Sequence, residues 1–259
     1  MASPTRILVT GASGFLGRHL LAPLRAAYPA ATLIAGFRQG AMSGAVSGAD
    51  ASLALDLLDP QGMETLLRDA RPDAVVHLAA QAAVGESFQD PDRSWRINAD
   101  GTRALGDILL RHLPETMLIL ASSAEVYGLT FRRGVPVDED AAMAPTNPYA
   151  ASKAAADIAL GEMALRGLRL VRLRLFNQIG PGQSDAYVVA AFLPVATGAN
   201  PLRLRRRRSH GFASPLVSGA TSRPGRTAVP IPGTGGRARC RRERVRHRWA
   251  VPVAVPFPR

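Results

Sequence analysis

A chain of 259 residues, 47% hydrophobic and 20% charged, is long enough to bury a full core and too apolar for wholesale disorder. One cysteine, Cys240, excludes an internal disulfide framework and any cysteine-based metal cluster, and no metal site is expected. The net charge of +12 is unevenly placed: residues 1–199 hold 17 basic and 19 acidic side chains, net −2, whereas residues 200–259 hold 15 arginines against Glu243, net +14. No apolar run reaches the ~20 residues that cross a bilayer. The opening MASPTRILVTGASG lacks the charged-then-apolar layout of a signal peptide. A cytoplasmic protein without a membrane partner is the expectation.

Taken in chain order, Arg6–Thr10 is a short apolar run ending in a glycine-rich turn, and Gly14–Ala27 has helical spacing, with Phe15, Leu16, Leu20, Leu21 and Leu24 on one side. Thr32–Ala35 and Ser52–Leu55 read as strands, separated by a Gly/Ser/Ala-rich loop at Gln39–Ala51. Pro60–Asp69 is a helix with proline at its start. The strand Ala74–Ala79, the long helix Pro91–His112, the strand Met117–Ser122, the helix Pro148–Arg166 and the strand Leu168–Phe176 follow. Short apolar strands separated by helices of this length predict βαβ units. The expected fold class is α/β, a doubly wound parallel sheet of the Rossmann kind with helices on both faces.

The first motif follows the first strand and opens the first helix. Gly11, Gly14 and Gly17 recur every third residue, with Ser13, Phe15 and Leu16 between them. Such glycines permit a tight turn and close approach of backbone to a pyrophosphate, and the helix N-terminus offers free N–H groups to it. A glycine turn that binds nothing is the competing reading, and the strand-before, helix-after context weakens it. The second strand is followed by Arg38 where a ribose-binding acid would stand, which favours NADP(H) over NAD(H). Asp56 and Leu57, after the third strand, are placed to meet the adenine edge.

Tyr149 and Lys153 lie four residues apart on one helical face. A nearby ammonium favours the phenolate, and such a tyrosine can hand a proton to a carbonyl oxygen. Lys153 is the only lysine against 31 arginines, and arginine cannot replace a compact ammonium. Ser123 and Glu125 follow a central strand, at the end where ligands of open α/β sheets bind. The serine could hydrogen-bond a substrate oxygen and the glutamate could act as a base. A turn serine and a surface glutamate would give the same sequence.

Together these residues resemble the extended short-chain dehydrogenases/reductases, in the NAD-dependent epimerase/dehydratase group. The resemblance spans roughly residues 5–192 and rests on the ordered set of the glycine motif, His77-Leu78-Ala79-Ala80, Asn98, the S-S-A-E-V-Y-G segment, the Tyr149/Lys153 pair and Phe176-Asn177. It implies Ser123, Tyr149 and Lys153 as a catalytic triad and Glu125 as a dehydratase-type base. It places Leu78, Ala79, Ala80, Asn98, Tyr149 and Lys153 with the glycine motif around an NADP (or NAD) cofactor. Gln81, Ser123, Glu125 and Asn177 then fall to the nucleotide-sugar substrate. The loop from Phe176 to Ser184 is similar to that of the family's reductases of GDP-4-keto-6-deoxymannose, which implies hydride transfer to C4 of the keto sugar. The dehydratases and epimerases of the group are the alternatives. The resemblance also implies a homodimer through the long helices.

The strand–helix pattern stops after about Phe192. Residues 1–192 are therefore read as a dinucleotide-binding domain and 193–259 as an Arg/Pro-rich, disordered tail, which leaves the C-terminal substrate region incomplete. The tail's Arg/Pro/Gly/Ala bias, without lysine or aspartate, is what a GC-rich coding region gives out of frame, with the shift near Phe192–Asn200. A dinucleotide-binding fragment without catalysis is thus a second function class. Nucleic-acid binding through the tail is a third, ranked last because the tail lacks interleaved aromatic residues.

Overall fold

The computed structural model describes residues 3–38, 40 and 47–184. The expectations for residues 193–259, a disordered tail and an incomplete substrate region, lie outside the described residues. Six strands form one sheet: β1 (Arg6–Thr10), β2 (Thr32–Phe37), β3 (Ala51–Ala54), β4 (Ala74–His77), β5 (Met117–Ser123) and β6 (Leu170–Leu175). Every pairing is parallel and the order is β3-β2-β1-β4-β5-β6. This is the doubly wound Rossmann arrangement, whose strand order reverses between β1 and β4.

The sheet's period of two divides the core. Leu8, Ile34, Val75, Leu118 and Leu120 turn to one face, where they meet Met63 and Leu67 of α2 (Pro60–Ala70), Leu105 and Leu109 of α5 (Thr102–His112) and Leu160 of α6 (Pro148–Leu165). Ile7, Val9, Leu33 and Ala35 turn to the other, against Leu21 of α1 (Phe15–Ala27). Both groups are buried, as parallel strands require.

Three elements differ from the sequence reading. The expected single helix from Pro91 to His112 is an α-turn, α4 (Pro91–Ser94), then a π-helical segment, Trp95–Gly101, then α5. The wider turn brings Asn98 and Ala99 inward together, a displacement that no apolar period encodes. The short helix α3 (Val84–Gln89) was not anticipated, because six residues containing a glycine show no period. A 3₁₀ stretch, Ala124–Arg133, follows β5 directly. Boundaries elsewhere moved by one or two residues. β4 stops at His77 instead of Ala79, where its pairing with Thr10 of β1 ends. Among the described residues no helix is long and apolar enough to cross a membrane.

Candidate active site

Most of the sequence-predicted residues lie at the C-terminal ends of β1, β4, β5 and β6 and the N-termini of α1 and α6, with Arg38 and Asp56 at the ends of β2 and β3. After β1 the chain turns through Gly11 at φ +68°, and Gly14 N-caps α1 without a side-chain cap. A Cβ on Gly11 would lie 2.7 Å from the Ala79 nitrogen, and one on Gly17 would run into the Gly11 oxygen and lie 2.5 Å from the Ala12 Cα. These contacts leave room only for hydrogen, so the turn lies flat against the end of β4. The first turn of α1 holds no acid, and its backbone N–H groups face outward from the helix end. Ser13, Phe15 and Leu16 are half-buried around this turn. The donor set of a phosphate cradle is therefore present in the chain's own backbone.

The end of β4 is tied to β1 by a buried hydroxyl–imidazole chain that sequence reasoning did not single out. Leu78 N donates to Thr10 O at 3.2 Å and Ala79 N to Thr10 Oγ1 at 3.2 Å. Thr10 Oγ1 lies 2.7 Å from His77 Nδ1, and His77 Nε2 lies 3.0 Å from Thr102 Oγ1 of α5. Burial, with a smaller push from the Lys153 ammonium, holds His77 down at about 3. The ring is neutral at ordinary pH and can bridge one donor to one acceptor.

Two predicted ligand-binding side chains are instead engaged internally. Asn98, fully buried, accepts from Gln81 N at 2.8 Å and donates to Gln81 O and Ser152 Oγ at 3.0 Å each. Gln81 accepts from Ser94 Oγ at 2.9 Å and donates to Ala83 O at 2.7 Å. The π-helical turn carries Asn98 into this position, so the pair braces the loop after β4 instead of presenting polar groups to a ligand. The Leu57 side chain is likewise in the core, and its Cβ would meet one built on Gly101. Arg38 and Asp56 are exposed at the ends of β2 and β3, and Asp56 Oδ1 accepts from Leu58 N at 2.9 Å. Asn177 is exposed in the loop after β6. That loop reaches back to α1, where His19 Nε2 lies 2.9 Å from Pro181 O.

Asn147 begins α6 as its N-cap: its Oδ1 accepts from Ala150 N at 2.7 Å, and Pro148 takes the first position. Its Nδ2 donates to Glu125 Oε2 at 3.4 Å. Ser123, buried, accepts from Glu125 N at 3.2 Å, as a turn serine would, and its own hydroxyl proton remains to be donated. Tyr149 is half-buried in the first turn of α6. Lys153, one turn on, is buried and donates to Ala121 O of β5 at 2.5 Å. Burial lowers the lysine to about 8, with the Asp157 carboxylate opposing the fall.

Asp157 is another residue the sequence reading passed over. It has no exposed side-chain surface and accepts from Ser122 Oγ at 2.6 Å, Arg172 Nη1 at 2.8 Å and Arg174 Nε at 3.1 Å. Burial works against its ionisation, but the bonds from Arg174 and Ser122 and the two arginine charges outweigh that and hold its carboxyl below the usual carboxylate range. Its spacing of four from Lys153, and the alternation of Arg172 with Arg174 on one strand, were visible signals.

With this geometry in hand, comparison with known proteins is specific. The model of the NAD dependent epimerase/dehydratase family matches residues 7–214. GDP-6-deoxy-D-mannose reductase of Pseudomonas aeruginosa is 39% identical over 188 residues, covering 72% of this chain and 56% of that protein. Among solved structures, UDP-glucose 4-epimerase of Thermus thermophilus in complex with NAD aligns with TM-score 0.66 at 31% identity, covering 76% of this chain and 64% of that one. RMD from Pseudomonas aeruginosa complexed with NADPH aligns with TM-score 0.60 at 35% identity, covering 76% and 62%. The chain belongs to the NAD-dependent epimerase/dehydratase family. It spans little over half the length of the curated relatives it matches.

The buried imidazole generates a pH prediction. His77 is held at about 3 in the fold and returns to its ordinary value of 6.5 when unfolded, so the unfolded chain binds more protons between those values. The stability present above pH 6.5 is lost as pH falls toward 3. Between pH 7 and pH 5 this one group should remove about 2 kcal/mol. Urea unfolding at the two pH values checks it: His77→Gln should flatten the dependence, and an equal slope in both proteins would contradict the assignment.

Proposed function

We propose that the C-terminal edge of the sheet binds a nicotinamide dinucleotide, NADP(H) in preference to NAD(H), and that the chain's chemistry is reduction of a nucleotide-linked 4-keto sugar, with GDP-4-keto-6-deoxymannose the favoured substrate. The observation that carries this reading is the meeting of a glycine turn too close-packed for any side chain with a lone buried lysine one helical turn from a tyrosine. The relatives supply the substrate class: one acts on a GDP-linked deoxymannose by its name, and the structure called RMD was solved with NADPH.

In this reading Gly11, Gly14 and Gly17 hold the pyrophosphate on the N-terminus of α1. Arg38 pairs with a 2′-phosphate, and Ala79 and Ala80 line the edge. Lys153 holds ribose hydroxyls and keeps positive charge near Tyr149. The reduced nicotinamide, when bound, supplies hydride equivalents. The Tyr149 hydroxyl gives its proton to the C4 oxygen of the sugar, and the Ser123 hydroxyl donates a hydrogen bond to that same oxygen. Glu125, half-buried beside Asn147, is the observation that favours a second reading, dehydration with the glutamate as base.

Fluorescence titration with NADPH and NADH, then mixing with GDP-4-keto-6-deoxymannose, tests this. NADPH should bind more tightly, and Arg38→Ala should remove about tenfold of that preference, of the order of one exposed charge-assisted bond. Tyr149→Phe should leave dinucleotide binding within about twofold while lowering turnover by about 10²–10⁴. Failure of the wild-type chain to bind either nucleotide would sink the proposal.

The exposed face of α6 supports a homodimer. Ile158 and Leu165, seven residues apart on one helical face, are 60% and 90% exposed. Sedimentation velocity should show a dimer that Ile158→Glu returns to monomer; a wild-type monomer at micromolar concentration would contradict it.

A further inference from the structure

Behind Tyr149 and Lys153 lies a charge cluster that the reaction itself does not use. Asp157 stands one turn beyond Lys153 on α6, and its carboxylate joins three elements. Ser122 reaches it from β5, between Ser123 and Ala121, whose carbonyl accepts a hydrogen bond from Lys153. Arg172 and Arg174 reach it from β6. Arg174 is itself fixed, donating to Tyr127 Oη at 2.8 Å and Glu139 O at 2.7 Å while its guanidinium lies 5.2 Å from the Tyr127 ring centroid. A carboxylate with no exposed surface and this many donors has one position available to it.

We propose that Asp157 is a positioning residue for Lys153: held by Arg174 and Ser122, its carboxylate keeps the lysine charged inside the core and fixes α6 against the end of β5. The inference rests on the reading that Tyr149 and Lys153 act together, and it adds the group that governs the lysine. The titratable and charged groups of the surrounding elements are His77 of β4, which feels the lysine charge, Tyr149 and Asp157 of α6, one turn to either side, Arg172 and Arg174 of β6, which bind Asp157, and Glu125 of the 3₁₀ stretch after β5. The charged side chains of α3, α4 and the π-helical segment are exposed. His77 is neutral, and Asp157 is the buried anion that opposes burial; a like charge disfavours an ammonium, so the two arginines bound to Asp157 work against the lysine charge in principle. Removing it leaves three cations with no buried counter-charge.

The experiment uses the one lysine. Full-length protein labelled with ¹³C-lysine gives a single ε-methylene signal, whose shift against pH reads the Lys153 midpoint directly. Asp157→Asn, which keeps the shape and one of the two accepting oxygens but removes the charge, should lower that midpoint by at least about one pH unit. Arg174→Gln, which removes a cation and leaves the carboxylate paired with Arg172, should raise it. Opposite shifts support the proposal, because a merely structural role cannot move the two variants in opposite senses. An unchanged midpoint in Asp157→Asn, or shifts of one sign in both, overturns it. Should Asp157→Asn not fold, Arg174→Gln decides alone: a rise supports, no change or a fall overturns. NADPH titration of the same wild-type sample reports separately on the functional reading, so the two can fail independently.

Discussion

An ammonium in a protein core is stable only where something replaces its water, and the candidate site is organised around that constraint. Lys153 finds the carbonyl of Ala121 at the end of a central strand and the field of Asp157 one turn along its own helix. Meeting both demands sets where α6 docks on β5. Tyr149 lies one turn before Lys153 on the same helix, and β5 ends at Ser123 just ahead of Glu125. An arginine at this position would bring a larger, forked cation to a place that accepts one compact donor.

The other half of the site answers to a different constraint, the absence of space. Where the strand order reverses, between β1 and β4, the turn after β1 packs on Ala79 so closely that only glycine fits at Gly11. The hydroxyl–imidazole chain from Thr10 through His77 to Thr102 holds these strand ends and α5 in register. The Asn98–Gln81 pair holds the loop that follows. Rigid strand ends with polar braces behind them suit a site whose ligand is bound largely by backbone groups.

Much of this was legible in the sequence. The strands announced themselves as apolar runs, and the glycine spacing and the Tyr149/Lys153 interval picked out the two regions proposed as the site. What stayed hidden depends on tertiary contact. A π-helical turn has no apolar period of its own, so the internal bonds of Asn98 to Gln81 and Ser152 were not readable. The Gln81 side chain is held by Ser94 and Ala83, partners that the sequence does not reveal. Asp157 carried a spacing signal, but its importance lies in Arg172 and Arg174 arriving from β6 and Ser122 from β5, partners that no local pattern reveals. His77 read only as the end of a buried strand because its partners are 67 and 25 residues away.

We propose that four segments distant in sequence form one dinucleotide site at the sheet's C-terminal edge. Hydrogen-exchange mass spectrometry of the full chain with and without saturating NADPH tests it most directly. The account predicts slowed exchange in peptides covering Gly11–Gly17, Leu78–Gln81, Ala121–Glu125 and Tyr149–Lys153, with α2 and the outer turns of α5 unchanged. Protection confined to some other face of the sheet, or no protection at any concentration of nucleotide, would contradict it.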